Sequence, residues 1–176
     1  MSMLSFGAAL LYMVATVACV GALGAARNSR THRRDTKKWL ACAAVFVVLA
    51  IARLTDFEEL SRNALRTWAR EGGAYAQREQ LQLPATILVA IAGVVTAFWL
   101  LRIWQRGNMT VRSRLAFLSI CASCAFAPLY GLRITSLHVT DRLLYSGPIR
   151  LNWVIDIGLT LTVLICAALY VRRSRR

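Results

Sequence analysis

The sequence predicts an all-α fold: a polytopic membrane helical bundle of about five transmembrane helices with an outer amphipathic helix. Three observations carry that expectation. Of 176 residues, 57% are hydrophobic and only 17% are charged, against ~25% charged in soluble domains. The apolar residues fall in runs that approach the ~20 a helix needs to cross a bilayer. The net charge is +14, and most of its cations lie between those runs rather than along them. On a soluble protein such a charge points to nucleic acid; here it excludes that partner and names the lipid bilayer instead. The apolar content excludes disorder. The five cysteines, odd in number and all inside apolar runs, exclude a disulfide-stapled secreted domain.

A single integral-membrane domain over 1–176 accounts for the whole chain, with spans at about 4–26, 39–58, 84–101, 115–134 and 151–171. The first is uncharged. It lacks a positive amino-terminal region and exceeds a typical signal-peptide core, so it is expected to be a true span. The second is purely apolar from Trp39 to Ala52 and continues through Leu54 and Phe57, with Arg53 and Asp56 turned toward protein. The third opens on Pro84, which suits a first helical turn. The fourth contains Pro128, where a kink is expected. The fifth has one charge, Asp156. Between the second and third, Phe57, Leu60, Ala64, Leu65 and Trp68 recur at helical spacing until Gly72-Gly73, predicting an amphipathic helix over 57–72. Around it five acids match five arginines, which argues against a polybasic lipid clamp. Trp39, Trp99, Trp104 and Trp153 fall near span ends, as interfacial anchors do.

The cations decide orientation. Segments 27–38 and 102–114 and the tail after Val171 hold Arg27, Arg30, Arg33, Arg34, Lys37, Lys38, Arg102, Arg106, Arg112, Arg114, Arg172, Arg173, Arg175 and Arg176. These three stretches alternate with the others. By the positive-inside rule the amino terminus is periplasmic and the carboxyl terminus cytoplasmic. Five spans satisfy this; four would put arginine-rich loops on opposite sides.

The stretch from Ala69-Arg70-Glu71-Gly72-Gly73-Ala74-Tyr75 to Arg78-Glu79-Gln80-Leu81-Gln82 resembles a motif close to A-R-E-x-G-W-Y-x-x-R-R-x-x-Q. That motif belongs to an uncharacterised family of small bacterial inner-membrane proteins, in which it lies between two spans. The family also tends to have a His and an Asp before a last span opening N-W-L-L-E-L-G. Their counterparts here are His138, Asp141 and Asn152-Trp153-Val154-Ile155-Asp156-Ile157-Gly158. Ala74 stands at the motif tryptophan, Glu79 at its second arginine, and Asp156 at the last-span glutamate. The resemblance implies a bacterial inner membrane and carries no catalytic role.

Charged groups at membrane depth are costly and are usually paired or functional. Arg53, Asp56, Arg133 and Asp156, with Asn152, all fall toward the outer ends of their helices. They are expected to form a structural polar network, for example Arg53 with Asp156 and Arg133 with Asp56. The alternative is an outward-facing pocket in which His138 and Asp141 join Tyr75, Arg78 and Gln82. One histidine among scattered aspartates falls short of a metal site, and a proton path lacks inner stations beyond Thr86, Thr96, Thr160 and Thr162. Cys121 and Cys124 form a C-x-x-C inside an apolar helix, where small residues serve close helix approach rather than redox chemistry. His32 lies among the basic residues and is expected to be solvated or lipid-facing. With no phosphate loop, nucleophile elbow or zinc-protease motif, no cofactor, metal or catalytic residue is expected. The leading expectation is a non-catalytic accessory, structural or assembly subunit of a larger bacterial inner-membrane complex, with other membrane-protein subunits as partners. Its rival is a membrane-embedded enzyme or small-molecule binding protein using the outward pocket.

Overall fold

Alanine and leucine favour a continuous helix, and with no charge to interrupt them they form α1 (Met3–Arg27) in the computed structural model of the chain. The structure describes residues 3–28, 33–57, 109–135 and 151–174, together with parts of 59–67 and 87–105. Within them the chain forms helices and the turns between them, without a strand. Arg27 closes α1, where a cation complements the negative end of the helix dipole.

The second helix, α2 (Arg33–Leu54), begins earlier and ends earlier than the span expected at 39–58. Its start differs because hydropathy marks the edge of the hydrocarbon, whereas backbone hydrogen bonding continues beyond it. Arginine and lysine are good helix formers, and Asp35 in the first turn suits the positive end of the dipole. Its end is set by Asp56, which adopts φ 47°, a left-handed conformation that aspartate tolerates better than most residues. The amides of Glu59 and Leu60 then donate to the Asp56 carbonyl, and the described residues between 57 and 67 are helical.

Thr110 caps the next helix, α3 (Val111–Cys124), its hydroxyl accepting from the Ser113 amide at 3.3 Å. Pro128 has no amide hydrogen to return to the Cys124 carbonyl. The helix is therefore interrupted at Ala125 and resumes as α4 (Phe126–Thr135). The expected kink is a break placed three residues before the proline. The last described helix is α5 (Leu151–Ser174), closed by Arg172 and Arg173.

Helices α1, α2, α3 and α5 pack in a ring, each against two neighbours: α1 on α2, α2 on α3, α3 on α5, and α5 on α1. The α1/α2 pair is the most extensive. Ala15, Cys19, Ala22 and Ala26 bury against a core that includes Cys42, Ala43 and Ala50, and such small side chains let helix backbones approach closely. Tyr12, Phe46 and Phe126 fill the wider level, with ring centroids 5.7–5.9 Å apart.

Among the described residues, Phe6–Arg27, Val111–Gly131 and Trp153–Ser174 are long and apolar enough to cross a membrane. Their exposed faces, such as Val14, Val17 and Val20 on α1 and Ile165 on α5, suit contact with a bilayer. The carboxyl ends of α1 and α5 meet the amino ends of α2 and α3, as contacts among Ala25, Ser174, Asp35, Ser113 and Tyr170 require. Helices α2 and α3 therefore start from one end of the ring. The chain between them must travel back along its length, and residues 91–96, 98 and 100–102 on that path are helical.

Candidate functional site

Two buried aspartates organise the polar interior, one at each end of the ring. Asp156 sits on α5, one turn from its amino end, and is 8% exposed. Tyr12 of α1 donates its hydroxyl to Oδ1 of Asp156 at 2.5 Å. Arg53, in the last turn of α2, places Nη2 3.3 Å from Oδ2. The same guanidinium lies 6.0 Å from the Tyr130 ring centroid on α4. One carboxylate thus joins α1, α2 and α5, with a ring from α4 alongside. A charge at this depth is tolerable because its hydrogen-bonding capacity is used by a cation and a hydroxyl.

The second cluster surrounds Asp35, 1% exposed on the first turn of α2. Lys38 Nζ lies 3.0 Å from Oδ1, and Ser113 of α3 donates to the same oxygen at 3.1 Å. Tyr170 of α5 donates to Oδ2 at 3.4 Å. Arg112 lies over the Tyr170 ring at 5.8 Å, and Trp39 meets that ring edge-on at 5.3 Å. Trp39 is fully buried, so it is a packing residue of the ring and not the interfacial anchor expected from its place at a span end. Its indole Nε1 has no hydrogen-bond partner among the described residues. This is the basic end of the molecule, with Arg27, Arg34, Lys37, Lys38, Arg112, Arg114, Arg172 and Arg173 on the adjoining turns, and Asp35 is the acid buried among them.

Between the clusters the interior is apolar, filled by Ala15, Cys19, Ala22, Cys42, Val163 and Ala167. The hydroxyls nearby fold back on their own helices: Thr160 donates to the Asp156 carbonyl at 2.8 Å, and Ser123 to the Ser119 carbonyl at 2.9 Å. Thr162 and Thr96 do the same. Hydroxyls satisfied in this way offer no continuous relay between the aspartates among the described residues. Nor do any three His, Cys, Asp or Glu side chains among them gather as a metal requires. The described arrangement can clamp helices together.

No family model, curated protein or solved structure matches the chain.

Of the residues singled out from sequence, the structure brings Arg53 and Asp156 together. Asp56 occupies the turn after α2, half-buried. Arg133 and Asn152 take helical positions on α4 and α5, but their side chains lie outside the described residues. Tyr75, Arg78, Gln82, His138 and Asp141 lie outside them as well, as do His32 and the motif at 69–82. Cys121 and Cys124 are free thiols on the side of α3 and α4 that faces the 88–104 segment. Sequence reasoning missed Tyr12, Asp35 and Tyr170. Asp35 carried a signal, being the one acid in a run of six cations between residues 27 and 38. The tyrosines carried almost none, since one hydroxyl in an apolar helix reads as an aromatic core residue.

Proposed function

We propose that the protein is a non-catalytic accessory, structural or assembly subunit of a larger complex in a bacterial inner membrane. We propose further that it crosses the membrane five times, with the amino terminus periplasmic and the carboxyl terminus cytoplasmic. The observation that carries the functional reading is the closure of Asp156. A catalytic or transport carboxylate at membrane depth has to face a cavity or a water path. This one is 8% exposed and engaged by Tyr12 and Arg53, a use of charge that fixes which helices meet.

Two further features support the reading. The cationic helix ends collect on one side of the ring, as the positive-inside rule asks of a cytoplasmic face. Among the described residues three helices are long and apolar enough to cross, and the reading of five is supported by α2 running the length of the ring beside α1 and by the helical residues 91–96, 98 and 100–102 on the return path to α3. The small-residue seam between α1 and α2 and the apolar outer faces suit a protein that works by packing against lipid and neighbouring helices.

Purification from the native membrane in a mild detergent tests the proposal. The expected result is co-migration with a defined set of larger membrane proteins at fixed stoichiometry, together with loss of their assembly when the chain is deleted. A protein that migrates alone, and whose deletion leaves every membrane complex intact, would remove the subunit reading.

A further inference from the structure

We draw no further inference here: the strongest candidate, the surface patch of exposed cations Arg27, Arg34, Lys37, Arg114, Arg172 and Arg173 on the four helix ends that meet at the basic end of the ring, carries nothing beyond the orientation already read from it, because nothing in the structure shows what covers it.

Discussion

Lys38 and Arg53 stand at opposite ends of α2, and each meets an aspartate that also accepts a tyrosine hydroxyl from another helix. The rise between them is ~22 Å, less than the ~30 Å of bilayer hydrocarbon. The same helix therefore supplies the cation for both clusters, and the apolar seam between α1 and α2 lies between these two fixed points. Stability of the ring should depend on both, in different ways.

At the Asp156 end, Asp156→Asn keeps the shape but leaves Arg53 facing a neutral amide. Losing one member of a buried pair costs ~3–5 kcal/mol, and the partial exposure of Arg53, 19% of its side chain, puts the expected loss toward the lower figure. Tyr12→Phe removes one hydrogen bond to a carboxylate and should cost ~1.5–3 kcal/mol. Thermal unfolding in detergent should rank D156N below Y12F below wild type. Their double variant should lose less than the sum, because both changes act on one carboxylate. Strict additivity would mean that the two contacts do not form a unit.

At the basic end the decisive quantity is repulsion. Asp35→Asn removes the buried acid while the surrounding cations remain. The variant should therefore be destabilised most at low ionic strength and partly recovered at 0.5 M salt, where screening shortens to well under ~10 Å. Melting curves across a salt series would show this as a slope much steeper than that of wild type. Parallel slopes would assign Asp35 a purely local hydrogen-bonding role with Tyr170 and Ser113.

The α1/α2 seam should reject added volume. Ala22 is fully buried, so Ala22→Leu should cost ~1–3 kcal/mol by forcing the helices apart. Val17, 73% exposed on the same helix, should accept leucine within ~0.5 kcal/mol. Detergent half-lives of the two variants at one temperature make the comparison, and equal half-lives would locate the seam elsewhere.

Fusion reporters check the threading. A reporter after Arg176 or within 102–114 should behave as cytoplasmic, and one within 62–80 as periplasmic. A periplasmic carboxyl terminus would end the five-span arrangement.

The helical class and the cores of α1, α3 and α5 were legible because unbroken apolar runs leave a chain in lipid few alternatives to helix. Asp156 was legible as a lone charge in a span, and Arg53 as its partner from depth alone. The start of α2 was not, since hydropathy reads Arg33 to Lys38 as a loop although their backbone is helical. Asp35 was hidden by its neighbours: six cations around one acid look like a solvated run, and only the packing of α3 and α5 buries it. The burial of Trp39 was obscured in the same way, because a tryptophan at the end of an apolar run has equal claims on the interface and the core. Tyr12 and Tyr170 escaped because their partners are distant in sequence, 144 and 135 positions away.

Those separations bear on how the protein is made. Arg53 leaves the ribosome early, on the second helix, while Asp156 arrives on the last described one, 103 positions later. During most of synthesis the early helices have neither the Asp156 carboxylate nor the Tyr170 hydroxyl to close on. A chain truncated before α5 keeps Arg53 near the lipid without its aspartate, and a membrane protease or insertion chaperone would meet a cation that the finished protein conceals. The ion pair thus reports the arrival of α5: it can form only once that helix has been delivered beside α1 and α2.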